Sequence, residues 1–323
     1  MSKVLLIKNK IKKFNKQIQV NGDKSLSIRW VLLASQAIGK SKGYNLLMSE
    51  DVLAALDAIK KLGIKFRIHK NYCEVFGNGI NGFKYKKNLT INARNSGTLG
   101  RLLLGLLIKS PHKIKLIGDK SLSQRDFSRV TLPLEKFGAK FNYITKNKLP
   151  LTILGLQLIK GIKYLENKGS AQCKSSVMFA ALNASGTTSI KAKKSRNHSE
   201  LLFKYLKIPI KIKKTKKYDF IDIKKPKKIR SFDYQIPGDI SSSAFFIVLT
   251  TLAINSRLLI KNVNINPSRI GVIVILKKMG AKILLKNQRN YRGEKIADIL
   301  IKSSNNLKAI NCPSELNSSA IDE

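Results

Sequence analysis

An octapeptide whose residue types suit anion binding occurs twice in the sequence. Residues 22–29 read GDKSLSIR, and residues 118–125 read GDKSLSQR. Lysine supplies a mobile positive charge, serine supplies a hydroxyl group, and arginine supplies a planar set of donors that fits a carboxylate or a phosphate. Each copy precedes a helical pattern, and a helix N-terminus offers unpaired backbone N–H groups and the positive end of a dipole. The two copies therefore predict anion-binding loops.

A purely structural interpretation of the first copy is the alternative, in which Ser25 and Ser27 cap a helix and Arg29 faces water. Four further segments rich in glycine or serine favour anion binding, because each of them also precedes a helical pattern. These segments are NSGTLGR (95–101), GSAQCKSS (169–176), SRNHSE (195–200) and PGDISSSAFF (237–246). The six segments together predict helix N-termini that converge on highly charged ligands.

The elements that must position these segments follow a repeat. Four amphipathic stretches each have apolar residues at helical spacing, a lysine-rich last turn, a breaker residue and the start of an alternating strand. The stretches are 52–66, 130–141, 201–212 and 272–283, and their breakers are Gly63, Gly138, Lys207 and Gly280. This spacing of roughly 70 residues predicts an α/β repeat protein. Because no strand–GxGxxG–helix unit is present, a doubly wound sheet is not predicted.

Length and composition place the chain among globular proteins. Its 323 residues are more than a single hydrophobic core usually organises, and 43% of them are hydrophobic. We therefore expect two domains, with the best boundary at 218–243, where two prolines and a dense lysine cluster occur. No apolar run approaches the ~18 residues of a membrane span, and no signal peptide is recognised. The basic N-terminus superficially resembles a transit peptide, but KVLLIK (3–8) and KQIQV (16–20) are better interpreted as strands of a cytoplasmic protein.

Positive charge is the strongest compositional signal. The 62 basic and 19 acidic residues give a formal net charge of +43. One hypothesis is nucleic-acid binding. The lysines are spread through every segment, however, and few aromatic residues lie among them for base stacking. An enzyme with anionic substrates also benefits from a positive potential.

Three cysteines, Cys73, Cys173 and Cys312, are odd in number and widely spaced. They form no CxxC pair and no set with the three histidines. We therefore expect neither a disulfide framework nor a zinc site, and interpret all three as small core residues.

The six segments, with NVNINPSRIG (262–271) and the terminal IDE (321–323), closely resemble the 5-enolpyruvylshikimate-3-phosphate synthase family in order and spacing. The resemblance covers the whole chain. It implies an α/β fold of the enolpyruvyl transferase or α–β prism type, in which βαβαββ units with pseudo-threefold symmetry form two lobes. Residues 22–238 would be the lobe that binds shikimate 3-phosphate, with three units. Residues 1–21 plus 239–323 would be a second, discontinuous lobe.

The implied reaction moves the enolpyruvyl group of phosphoenolpyruvate to the 5-hydroxyl of shikimate 3-phosphate and releases phosphate. By resemblance, the enzyme needs no metal and no organic cofactor, binds neither nucleic acid nor membrane, and is a cytoplasmic monomer. The nearest rival is the UDP-N-acetylglucosamine enolpyruvyl transferase family. That family usually has asparagine after its first-loop lysine and a reactive loop cysteine, whereas Ser25 follows Lys24 here and no cysteine lies near Arg125.

The resemblance also assigns roles to individual residues. Lys24 and Asp322 match catalytic positions. The shikimate 3-phosphate site would contain Lys24, Ser25, Arg29, Ser170, Ala171, Gln172, Ser195, Arg196 and Asp322. The phosphoenolpyruvate site would contain Lys24, Gly97, Arg125 and Gln172. Many family members have serine where this chain has Ala171, so one phosphate hydrogen bond is not expected here.

The repeat also predicts how the chain behaves alone. The family has six units, which at this period corresponds to about 420 residues, so we expect the second lobe to be incomplete and its helices to expose apolar faces. The 323-residue chain should then bind shikimate 3-phosphate weakly and show no measurable transfer. An assay of phosphate release in the presence of both substrates measures the transfer activity. A C-terminal segment of about 100 residues should restore turnover, whereas robust release by the chain alone would contradict the expectation.

Overall fold

The computed structural model describes residue 6 and residues 11–321 and divides them into two compact units. The first unit contains the described parts of 1–21, 237–291 and 295–323, and the second contains Gly22–Ile236 and Arg292–Glu294. The sequence did not predict that 292–294 would group with the second unit. The predicted strand KVLLIK lies almost entirely outside the described residues, as does Asp322.

Helices and strands alternate along the described chain. The helices are α1 (Lys24–Ser35), α2 (Glu50–Lys61), α3 (Gly97–Leu106), α4 (Lys120–Ser123), α5 (Ser128–Glu135), α6 (Ala171–Ala181), α7 (His198–Tyr205), α8 (Ile240–Leu252), α9 (Gly271–Lys278) and α10 (Asn317–Ala320). The strands are β1 (Asn15–Ile18), β2 (Ile38–Tyr44), β3 (Lys65–Ile68), β4 (Tyr72–Asn78), β5 (Leu89–Asn92), β6 (Ile114–Ile117), β7 (Lys140–Tyr143), β8 (Leu151–Leu154), β9 (Lys163–Glu166), β10 (Thr187–Lys193), β11 (Ile210–Lys214), β12 (Tyr218–Lys224), β13 (Tyr234–Gln235), β14 (Arg257–Asn264), β15 (Lys282–Tyr291) and β16 (Glu294–Lys302).

The strands of the described residues form four 4-stranded sheets of one design. The second unit has the orders β13-β2-β4-β3, β5-β6-β8-β7 and β9-β10-β12-β11, and the first unit has β1-β14-β16-β15. In every sheet the first pair is parallel and the second pair is antiparallel. The predicted α/β repeat is therefore correct.

Two of the sheets are completed by a strand that is remote in the sequence. In the second unit β13 pairs with β2, so that Tyr234 lies opposite Gly43. In the first unit β1 pairs with β14, so that Asn15 lies opposite Arg257. The other two sheets use only strands that are close in the sequence.

Three helices form the interior of the second unit. In α1 every residue from Leu26 to Ser35 is buried, and in α6 every residue from Cys173 to Ala181 is buried. In α3 only Arg101 is not buried. Helix α3 packs against α6 and also contacts α1. A helix that is buried on all sides has no solvated polar face, so the polar side chains near its first turn need another explanation than contact with water.

The turns after α2, α5, α7 and α9 confirm the predicted breakers. Gly63, Gly138 and Gly280 have φ of 83°, 98° and 100°, and Lys207 has φ of 56° in the equivalent turn. A helix commonly ends in this left-handed conformation, which glycine adopts without strain and a side chain disfavours. The left-handed turn of the repeat is therefore kept at Lys207, where the residue is not glycine.

Helix α8 of the first unit differs from the three buried helices. Ile247 packs in the apolar core of this unit with Ile260 and Ile299. On its other side, Phe245 is 79% exposed and Leu252 is 66% exposed. An apolar face of this kind is unusual on a soluble domain.

The cysteine interpretation was only partly correct. Cys73 and Cys173 are buried, as expected, but Cys312 is exposed. It lies in the irregular segment before α10, which has little packing around it. The interpretation of Cys312 as a core residue is therefore wrong.

Within the described residues, none of the helices combines the length and the apolar character that crossing a membrane requires.

The left-handed Lys207 predicts a stabilising substitution. Lys207→Gly should raise the free energy of unfolding by about 1 kcal/mol, because glycine removes the steric cost of positive φ. Urea unfolding followed by circular dichroism measures the change. Lys204→Gly is the matched control: this exposed residue is inside α7, and its replacement should lower stability by about 1 kcal/mol. A loss of stability in Lys207→Gly would contradict the argument.

Candidate functional site

Each octapeptide begins a helix and is not a loop. Helix α1 starts at Lys24, and Asp23 Oδ1 accepts a hydrogen bond of 2.9 Å from the Leu26 N–H. In the second copy, Asp119 Oδ1 accepts from the Leu122 N–H at 2.7 Å and starts α4. The aspartate is thus the N-cap in both copies, and the interpretation of Ser25 and Ser27 as caps is wrong.

Arg29 is buried, contrary to the interpretation that it faces water. It is 3% exposed, and its Nε donates to Ser199 Oγ at 2.8 Å. Its Nη1 donates to the Ser25 carbonyl at 2.9 Å, and its Nη2 donates to Ser175 Oγ at 3.1 Å. Burial lowers the pKa of Arg29 to about 10, although nearby carboxylates act in the opposite direction. The guanidinium still remains charged at neutral pH.

Two pairs of polar side chains, one of them a Lys–Glu ion pair, are buried beside Arg29. Lys174 Nζ lies 2.6 Å from Glu200 Oε1, and both side chains are buried. His198 Nδ1 lies 2.7 Å from Glu294 Oε1, and neither side chain is exposed. Ser175 and Ser199, which hold Arg29, directly follow Lys174 and His198 in the sequence. Each serine that holds the guanidinium therefore follows a residue that is itself held by a buried glutamate.

A second cationic group surrounds the start of α3. Ser96 caps this helix, because its Oγ accepts from the Leu99 N–H at 3.3 Å. A Cβ added to Gly97 would lie 2.8 Å from Arg101 Nη1 and 3.2 Å from Arg125 Nη1. Burial lowers the pKa of Arg101, and the positive charge of Arg125 acts in the same direction. Two guanidinium groups at one helix N-terminus form an anion-binding arrangement.

Helix α6 connects the two cationic groups. Gln172 Oε1 accepts from Arg101 Nη1 at 2.5 Å, and its Nε2 donates to Thr98 Oγ1 at 3.1 Å. Ser175, one turn further along α6, contacts Arg29. Ser170 is the N-cap of α6, and its Oγ accepts from the Cys173 N–H at 3.2 Å. Side chains of one helix thus hold both arginines.

For the remaining site residues that the sequence suggested, the structure shows few contacts among the described residues. The Lys24 side chain is 48% exposed, and its Nζ lies 3.9 Å from Asp51 Oδ2. Ser195 Oγ is buried and has no hydrogen-bond partner among the described residues. Arg196 is close enough to Arg29 to lower its pKa. Ala171 is the first residue of α6.

Sequence reasoning missed several residues of this site. Ser175 and Ser199 lie inside quoted segments, but their contact with Arg29 joins three helices and gives no sequence signal. Arg101 ends the quoted segment 95–101, but the resemblance assigned it no role. Glu294 was not noticed at all, because it lies at the beginning of a strand far from every quoted segment.

Comparison with known proteins identifies the class. The chain belongs to the EPSP synthase (3-phosphoshikimate 1-carboxyvinyltransferase) family, whose family model matches residues 8–313. A 3-phosphoshikimate 1-carboxyvinyltransferase from Thermoanaerobacter sp. (strain X514) is 40% identical over 307 residues, which cover 95% of this chain and 71% of that protein. The protein of the same name from Ruthia magnifica subsp. Calyptogena magnifica is 42% identical over 308 residues, which cover 95% of this chain and 69% of that protein.

A solved structure shares the fold. The EPSP synthase from Acinetobacter baumannii superposes with a TM-score of 0.87 at 35% sequence identity. The match covers 96% of this chain and 70% of that one. The predicted fold class, an α/β enolpyruvyl transferase fold, is thereby confirmed.

The contacts of Gly97 predict the effect of one added methyl group. Gly97→Ala should displace the Arg101 and Arg125 guanidinium groups, because its Cβ would be too close to both. We expect about tenfold weaker binding of phosphoenolpyruvate, the ligand that the resemblance assigns to Gly97, by calorimetry.

Gly100→Ala is the control for this prediction. Its Cβ would meet Phe127 and Ala93 at 3.5–3.7 Å, which is ordinary contact. That variant should gain helix stability and keep its affinity for phosphoenolpyruvate. Equal affinities in the two variants would contradict the role of Gly97.

Proposed function

We propose that the residues of this site serve the transfer of the enolpyruvyl group of phosphoenolpyruvate to the 5-hydroxyl of shikimate 3-phosphate, with release of phosphate. The observation that carries the proposal is the pair of guanidinium groups, Arg101 and Arg125, beside Gly97 at the start of α3. Family membership supports it, because the matched relatives are named for this activity. As the resemblance implies, we also propose a cytoplasmic monomer.

The proposed phosphoenolpyruvate site is the start of α3. Arg125 and Arg101 neutralise the phosphate group, and the lack of a side chain at Gly97 leaves room beside the helix N-terminus. Gln172 holds Arg101 in place through its amide oxygen. Phosphate is the leaving group of the reaction, so cations at this position also stabilise the charge that develops on it.

The proposed shikimate 3-phosphate site is formed by α1, α6 and α7. Three N–H groups of Arg29 donate to protein oxygens, and a guanidinium has further N–H donors for a carboxylate. Ser195 Oγ, without a described partner, supplies a hydroxyl for the phosphate group. Arg196 and Ser170 complete the proposed contacts. A buried, desolvated guanidinium binds a carboxylate more strongly than one in water.

The proposed chemistry consists of addition followed by elimination. The 5-hydroxyl gives up its proton to a base as its oxygen bonds to C2 of phosphoenolpyruvate, and C3 takes up a proton as the C2–C3 double bond becomes single, which gives a tetrahedral intermediate. Loss of phosphate from C2 and of a proton from C3 then forms the enol ether. We assign proton transfer to Lys24 and, beyond the described residues, to Asp322. Positioning and electrostatic stabilisation account for the rest of the catalysis.

This partition of roles predicts separable binding defects. Arg29→Ala should weaken shikimate 3-phosphate binding about tenfold or more, because a charge-assisted hydrogen bond contributes ~1.5–3 kcal/mol. Arg125→Ala and Lys24→Ala should instead weaken phosphoenolpyruvate binding by a similar factor. Calorimetric titration with each substrate measures both affinities.

Lys211→Ala is the charge-matched control, because Lys211 is exposed on β11 and contributes no described contact to the site. It should leave both affinities unchanged. If Arg29→Ala binds shikimate 3-phosphate as tightly as the unaltered chain, the assignment of α1 to that substrate is wrong.

A further inference from the structure

A histidine and a glutamate form a buried pair at the start of α7. His198 Nδ1 and Glu294 Oε1 are 2.7 Å apart, and both side chains are fully buried. With Glu294 as a carboxylate, which only accepts hydrogen bonds, His198 Nδ1 is the donor of this bond. This bond fixes the orientation of the imidazole ring in the first turn of the helix.

The next residue of α7 holds the buried guanidinium. Ser199 Oγ accepts from Arg29 Nε at 2.8 Å and lies 2.7 Å from Ser175 Oγ. The position of Ser199 depends on the backbone of the first turn of α7, which His198 holds through Glu294. A displacement of that turn therefore moves a hydrogen-bond acceptor of Arg29.

Glu294 is itself held by a tight turn that lies along one face of α7. Arg292 and Gly293 have φ of 49° and 93°, and the Arg292 guanidinium lies over the Tyr205 ring at 5.3 Å. A Cβ on Gly293 would be 3.1 Å from the Leu201 carbonyl oxygen, so the turn touches the helix there. Together with His198, the contacted residues have the spacing i, i+3, i+7, which is one helix face.

We propose that His198 and Glu294 are positioning residues that fix Arg29, through Ser199, in the orientation that binds the substrate carboxylate. The proposal rests on the proposed function of Arg29 and adds residues that touch no substrate. The charge of Glu294 also favours the charged form of the buried guanidinium, in the same direction as the geometric effect.

Two substitutions of Glu294 test whether the hydrogen bond to His198 is what matters for substrate binding. Glu294→Gln keeps an oxygen that accepts from His198 Nδ1, whereas Glu294→Ala removes the acceptor. We expect shikimate 3-phosphate binding to weaken about tenfold in Glu294→Ala and less than about threefold in Glu294→Gln, by calorimetry. Equal losses in the two variants would overturn the positioning role.

Glu74→Ala is the matched control for a buried glutamate. Glu74 Oε2 also pairs with a histidine, His69 Nε2 at 3.3 Å, but on β4 and away from the contacts of Arg29. This variant should lower thermal stability without changing affinity for shikimate 3-phosphate. A loss of affinity equal to that of Glu294→Ala would show that general destabilisation explains both, and would overturn the proposal.

A double-mutant cycle tests whether the effect passes through Arg29. In an Arg29→Ala background, Glu294→Ala should cause no further loss of affinity, because the positioned group is gone. Additive losses would contradict the proposal. Ser199→Ala supplies an independent measurement if Glu294→Ala does not fold, and it should weaken binding about tenfold.

The same titrations keep this proposal distinct from the proposed function. If the unaltered chain binds shikimate 3-phosphate and Arg29→Ala weakens it, the proposed function stands whatever the Glu294 variants do. If Arg29→Ala has no effect on that affinity, both the role of Arg29 and the positioning proposal are wrong.

Discussion

Three helices of the second unit, α1, α3 and α6, are buried along almost their whole length. A helix in such surroundings has no polar face, so polar chemistry concentrates near its first turn, where backbone N–H groups are also unpaired. This constraint explains why glycine, serine and basic residues cluster at the helix starts in the sequence. It also explains why Gln172 and Ser175, close to the start of one helix, can hold arginines on two others.

Arg29, in the second turn of α1, brings a charge into these buried surroundings. A buried charge is tolerated when hydrogen bonds and opposite charges surround it, and the loss of one partner costs more than the pair contributes. Here three hydrogen bonds hold the guanidinium, and the carboxylates of Glu200 and Glu294 oppose the effect of desolvation on its pKa. Those carboxylates pair with Lys174 and His198, which extends the network through α6 and α7.

The sequence was informative wherever local rules apply. Helix starts, the period of the repeat and the left-handed turn at Lys207 depend on residues that are neighbours in the chain. The N-cap assignment failed because aspartate and serine compete within a few residues, and only geometry decides between them. Arg29 was misjudged because an arginine is normally exposed. Glu294 was invisible, since it meets His198 through pairing that no periodicity encodes.

Two sheets are completed by a strand that is remote in the sequence, and this affects the order in which the sheets can form during synthesis. The β5–β8 and β9–β12 sheets contain only nearby strands and can be completed as soon as each segment has emerged from the ribosome. The sheet with β2 waits for β13, since Gly43 pairs with Tyr234, and β1 waits for Arg257 of β14. Until those partners are synthesised β2 and β1 each lack their parallel neighbour, and an unpaired strand edge is a site for mispairing. The strands that are synthesised first, β1 and β2, are therefore the ones that wait longest for a parallel partner and are the most exposed to mispairing.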